Sequence, residues 1–230
     1  MTLRDEHAPL RHDRSYVYRL FEPTEPPAQT VVALHGSGAD EMAILPLARQ
    51  LDASARIVAP RGRVMQNGER RWYRKKSPIN FDQASVRFEA QAFAGFLDGL
   101  RADDIIVPER TLFLGYSNGA NLLAATMLLH PGRIRHAVLL RAMPVLEAPP
   151  KADLSAARVL ILSGEMDQTY GLYGAMLSDL LTRNGAVVTT DTLGSGHECG
   201  DADMVVARHW LGEGDGTLPD AIAGETPAKG

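Results

Sequence analysis

Residues 111–129 read TLFLGYSNGANLLAATMLL, and this stretch decides the fold. Thr111 to Gly115 is a short, almost wholly apolar run, suited to a strand covered on both faces. Asn118 to Leu129 has the length and character of a buried helix. Between them stands Gly115-Tyr116-Ser117-Asn118-Gly119, a glycine-x-serine-x-glycine pattern at a strand-to-helix junction. A turn that tight needs residues without Cβ on either side of the serine, and it lifts the hydroxyl above the edge of a sheet.

Outward from this stretch, short β-rich runs alternate with longer runs of helical period. That order predicts an α/β domain with a mostly parallel central sheet flanked by helices. Strands are expected at 15–21, 30–35, 56–59, 110–115, 136–141, 158–163 and 186–192. TVVALH, HAVLL and RVLIL are near-continuous apolar runs that belong in the middle of the sheet, whereas SYVYRLF alternates and is expected at an edge. The longest helix follows Asp82, a good N-cap, and sets Val86, Ala90, Phe93, Leu97 and Leu100 on one face. Others fit 41–51, 118–129, 173–184 and 202–211, the last with Asp201 as its cap. Residues 15–212 are read as the domain, 1–14 as a flexible N-terminus and the Gly- and Pro-rich 213–230 as a disordered tail.

A nucleophilic serine needs a base, and the base needs an acid to orient it. Of the histidines after Ser117, His130 ends the elbow helix, His136 starts a strand and His209 sits in a helix. His197 alone lies in a Gly-rich loop, Gly194-Ser195-Gly196-His197, just past a strand. The acid is expected beyond RVLILSG, where Asp167 is preferred to Glu165 because it lies further past the strand end. Donors for a developing oxyanion are expected from the backbone of Asn118 and of Ser37 in Leu34-His35-Gly36-Ser37-Gly38, with Gly38 the fallback.

Residues 62–77, GRVMQNGERRWYRKKS, hold six bases and one acid beside Trp72 and Tyr73. Two readings stay open there: a loop flanking a pocket formed by Gly38, Trp72 and Tyr73, its arginines favouring an anionic group, or a solvated loop with its Trp packed on the core. The net charge of the 230-residue chain is −4, and residues 213–230 contribute −3 of it. A near-neutral body argues against nucleic acid as a partner, and the charged N-terminus and polar-interrupted Thr111–Gly132 argue against membrane insertion or export. With one cysteine, Cys199, and no metal-ligand spacing, cytoplasmic chemistry without cofactor or metal is expected.

The chain resembles the phospholipase/carboxylesterase family of the α/β-hydrolase superfamily, which includes the acyl-protein thioesterases, and within it the small bacterial esterase branch. The resemblance runs from about Thr30 to Leu211 through LHGSGADE, APRGRV, GYSNGAN, LILSGEMD and GSGH. It implies an α/β-hydrolase fold with Ser117, Asp167 and His197 as triad, acting on carboxylic esters or thioesters of small molecules through an acyl-serine. The chain departs from the family after the acid, where Gln168-Thr169-Tyr170-Gly171 replaces a proline-containing segment. A non-catalytic ligand-binding protein and an amide or peptide hydrolase are the alternatives, and a homodimer is compatible with the sequence. AMPVLEAPPKADLSAA (142–157), with three prolines, is too short and interrupted for a multi-helix cap. An open cleft preferring short acyl groups is therefore expected.

Overall fold

A computed structural model describes residues 8–13 and 15–212. In chain order the elements are β1 (Leu10–Asp13), β2 (Tyr16–Phe21), β3 (Thr30–Leu34), α1 (Leu45–Leu51), β4 (Arg56–Pro60), β5 (Val64–Gln66), β6 (Glu69–Arg71), β7 (Lys75–Ser77) and β8 (Asn80–Phe81). They continue as α2 (Gln83–Ala102), β9 (Thr111–Tyr116), α3 (Asn118–Leu129), β10 (His136–Leu140), β11 (Arg158–Gly164), α4 (Tyr173–Arg183), β12 (Val187–Leu193) and α5 (Asp201–Gly212).

Eight strands form one sheet in the order β1-β2-β4-β3-β9-β10-β11-β12. β1 and β2 run antiparallel to their neighbours, and from β4 to β12 every pairing is parallel. Alternation along each central strand divides the core into two layers. In β3, Val32 and Leu34 pack toward α2, α3 and α4, while Val31 and Ala33 pack toward α1 and α5. Parallel strands covered on both faces must be apolar throughout, and β3, β9 and β10 are.

Four expectations need correction. Leu10–Asp13, placed by sequence within a flexible 1–14, pairs with β2 and takes the sheet edge. β2 is thus one strand in from the edge; its alternation arises because Tyr16 and Tyr18 stack on Phe93 and Phe96 of α2, while Arg19 on the other face pairs with Glu41. The helix expected from residue 41 begins at Leu45, since Pro46 is tolerated only in a first turn. Finally, the segment expected as one loop at 62–77 folds into the hairpins β5-β6 and β7-β8. Residues 1–7, Arg14 and the expected disordered tail 213–230 lie outside the described residues.

Candidate active site

The loops that leave the parallel strands at their carboxyl ends converge on one cleft, as strand-and-helix alternation dictates. Ser117 follows β9 at φ +50°, ψ −114°, a left-handed backbone that a residue with a Cβ adopts only under constraint. The constraint is steric. A Cβ on Gly119 would stand 2.6 Å from the carbonyl oxygens of Leu34 and His35, and one on Gly115 would stand 2.6 Å from Cα of Ala120. The two glycines allow α3 to pack hard against β3 and β9, and the serine between them absorbs the turn.

His197 Nε2 lies 2.9 Å from Ser117 Oγ, and its Nδ1 lies 2.6 Å from Asp167 Oδ2. An ionised carboxylate only accepts, so Nδ1 carries the proton and Nε2 is left to accept from the serine. Burial pushes the Asp167 carboxyl up, but the His197 bond and the amides of Tyr170 and Thr169 outweigh it and hold the group below the usual carboxylate range. Glu165, the alternative acid, is exposed, and the carboxylate on His197 is that of Asp167. The imidazole lies between the rings of Tyr116 and Tyr170, 5.7 and 4.8 Å away by centroid.

The Ser37 and Asn118 amides donate to no acceptor among the described residues. Asn118 opens α3, where such donors have no intrahelical partner. Gly38 is not the alternative donor or a pocket residue: its N–H donates to the Arg70 carbonyl at 2.8 Å, and it does not line the cleft. Trp72 is also absent from the cleft. Its ring is fully buried against Tyr16, Phe93 and His35, where its apolar area is best hidden from water. There its backbone N–H donates to Asn118 Oδ1 at 2.7 Å and its indole N–H to the His35 carbonyl at 2.8 Å, tying together the two segments that bear the free amides. Tyr73, from the same pair, does line the cleft, its hydroxyl accepting from Asn121. Arg71, which also lines the cleft, donates to Ser37 Oγ at 2.9 Å, so β6 braces the Ser37 loop.

Arg141 is the residue that sequence reasoning missed. It follows β10 at φ +53° with a fully buried side chain. Its guanidinium donates to the Gly196 carbonyl at 3.0 Å, the Glu198 carbonyl at 2.7 Å and Ser195 Oγ at 2.8 Å, and grips Asp203 at 2.7 and 3.2 Å. Asp203 in turn accepts from the Gly200 amide at 2.9 Å, and Asp201, expected as the cap, is instead the first residue of α5. One planar fork thus holds the loop on both sides of His197, which a lysine ammonium cannot do. An arginine directly after the apolar strand HAVLL was the available signal.

The cleft is small and open, and it shares Phe81 and Met143 with a wider open groove. Ile79, Val145, Leu146, Tyr173 and Met176 line that groove. Residues 142–157 form no helix, so no cap covers the site, yet Met143 to Leu146 supply an apolar wall. Burial and then Asp203 push the Cys199 thiol up to about 11, which leaves it protonated at neutral pH. Among the described residues no helix is long and apolar enough to cross a membrane, and no group of three or more His, Cys, Asp or Glu is placed to hold a metal.

Comparison with known proteins agrees with this architecture. The sequence pattern of the phospholipase/carboxylesterase family matches residues 17–212. A carboxylesterase from Mesorhizobium loti, solved as a crystal structure, is 42% identical, covers 90% of this chain with 99% of its own, and superposes with a TM-score of 0.86. The Bacillus cereus carboxylesterase is 26% identical over 86% of this chain and 93% of its own, with a TM-score of 0.80. The putative hydrolase MhqD of Bacillus subtilis is 26% identical over 189 residues, 80% of this chain and 92% of that protein. A family pattern spanning nearly every described strand and helix leaves one assignment: the chain belongs to the phospholipase/carboxylesterase family of α/β-hydrolase-fold enzymes.

Proposed function

We propose that this chain hydrolyses small carboxylic esters, and thioesters by the same steps, through an acyl intermediate on Ser117. The observation that carries the proposal is the continuous path from Asp167 Oδ2 through His197 to Ser117 Oγ, with spacings of 2.6 and 2.9 Å. His197 Nε2 takes the hydroxyl proton as Oγ attacks the carbonyl carbon, and Asp167 stabilises the imidazolium that results. Negative charge then builds on the carbonyl oxygen, where the Ser37 and Asn118 amides stand ready to donate. Collapse of this intermediate expels the alcohol or thiol, which takes its proton from His197. Water enters in its place and attacks the acyl carbon as it gives a proton to His197, which returns that proton to Ser117 Oγ as the acyl–oxygen bond breaks and the acid leaves.

The amides need no reorganisation during the reaction, because Trp72 and Arg71 fix the segments that carry them. Preorganised donors of this kind contribute on the order of 10²–10³ in rate each. The test is labelling by a fluorophosphonate probe together with hydrolysis of a p-nitrophenyl ester. Ser117→Ala is expected to abolish labelling and nearly all turnover while leaving the circular dichroism spectrum unchanged. Full labelling of that variant removes Ser117 from the mechanism.

A further inference from the structure

The cleft wall carries three cations, Arg71, Lys75 and Arg141, and no carboxylate. Two of them already have partners. Arg141 is neutralised by buried Asp203, and Arg71 pairs with Glu69 on the solvent side. Lys75 forms no ion pair among the described residues. It is half-buried on β7, and its backbone is locked in both directions to the Gln66 side chain, at 2.8 and 3.0 Å. The lysine is therefore presented by a fixed hairpin, not by a loose loop.

A second observation points the same way. Arg71 is only 6% exposed, yet its Nε is buried without a hydrogen-bond partner. A buried guanidinium N–H left without an acceptor is unfavourable unless something else supplies one. Arg70 and Lys76 stand on the same hairpins and Arg74 on the link between them, in a body that is close to neutral. Cations without a facing carboxylate in the lining favour an anion there, and a half-buried wall of low dielectric strengthens its attraction to Lys75.

We infer that the cleft selects esters bearing a carboxylate, which is held by Lys75 with Arg71 behind it. This rests on the ester-hydrolase reading above and narrows its substrate class. Ester and carboxylate then sit in one cleft, the reacting carbonyl at Ser117 and the anion toward β7, which suits half-esters of short dicarboxylic acids or acyl esters of small hydroxy-acids. The neutral remainder of the substrate faces Phe81 and Met143.

Paired substrates that differ only in charge test this. Monomethyl glutarate is compared with its primary amide for an anion on the acyl side, and 4-acetoxybenzoate with 4-acetoxybenzamide for an anion on the leaving side. In at least one pair the carboxylate is expected to have a kcat/KM about tenfold higher, the weight of one charge-assisted hydrogen bond. The ratio should fall about tenfold in Lys75→Met, fall below one in Lys75→Glu, and shrink as salt is raised from low to 0.5 M. Ratios at or below one in both pairs, or a ratio that Lys75→Met leaves unchanged, overturn the inference. Calorimetric binding of monomethyl glutarate and its amide to the Ser117→Ala protein separates this from the mechanism. Equal binding of the two overturns the anion site even if Ser117 is the nucleophile, and tighter binding of the acid supports it even if Ser117 is not.

Discussion

Arg141 Nε donates to the carbonyl of Gly196 at 3.0 Å, so a side chain from the end of β10 holds the residue immediately before His197 on the far side of β11. The sheet alone fixes where each strand ends; it does not fix the last few ångströms of a loop. That distance is set by this guanidinium.

Replacing it with an ammonium keeps the charge for Asp203 and loses the fork. In Arg141→Lys, kcat is expected to fall about 10²-fold, the penalty for a displacement of about 1 Å between reacting groups, with KM nearly unchanged. In Arg141→Ala, added methylguanidine should restore part of kcat at concentrations that do not alter the unfolding transition. A lysine variant with full kcat would show that the loop holds His197 without help.

Trp72→Phe keeps an aromatic ring in the core and removes one N–H. The His35 carbonyl then loses a buried donor, at a cost of about 1–3 kcal/mol, measurable by urea unfolding. Because the lost bond ties the Ser37 segment to the elbow, kcat should fall about tenfold while the affinity for a product acid stays within about twofold. A variant that is destabilised but fully active would confine Trp72 to packing.

Asp167 supplies the pH dependence. Its carboxyl is held below the ordinary range in the folded chain, so its contribution to stability is fully present above the unfolded value of about 4 and is lost as pH falls through the lower native value. The difference in unfolding free energy between wild type and Asp167→Asn should therefore be constant near pH 7 and shrink below about pH 4. At neutral pH the same variant is expected to lose on the order of 10³–10⁴ in kcat, since Nδ1 of His197 no longer has an anion to hold its proton in place. An unchanged kcat would exclude Asp167 as the orienting acid.

Much of this site was legible because backbone chemistry announces itself. The apolar runs of β3, β9, β10 and β11, and the Gly-x-Ser-x-Gly junction, follow from burial on two faces and from close helix–strand approach, and both leave compositional marks. The hairpin β5-β6 was legible too and was passed over: Asn67-Gly68, with φ of +54° and +77°, is the residue pair that a two-residue turn demands. β1 was not legible, because LRHD has neither an apolar run nor alternation and is recruited by the free edge of β2. Trp72 and Arg141 were hidden for a different reason. Their roles depend on partners distant in sequence, His35 and Asn118 for one and residues 195–203 for the other, and no local pattern encodes such meetings.

The strand that carries His197 into the cleft is the last of the sheet, and β12 is bonded only to β11, with most of its residues exposed. Ser117, by contrast, leaves the buried centre. The proposed base and nucleophile thus inherit unequal mechanical security from one scaffold. Edge segments open at lower free energy than the core that supports them. During synthesis, β12 and the loop after it follow the other seven strands of the sheet, so the sheet can be largely assembled while the hydroxyl of Ser117 still lacks its proposed base. Activity is therefore expected to appear only after the sheet has formed, and on heating to be lost before the sheet comes apart.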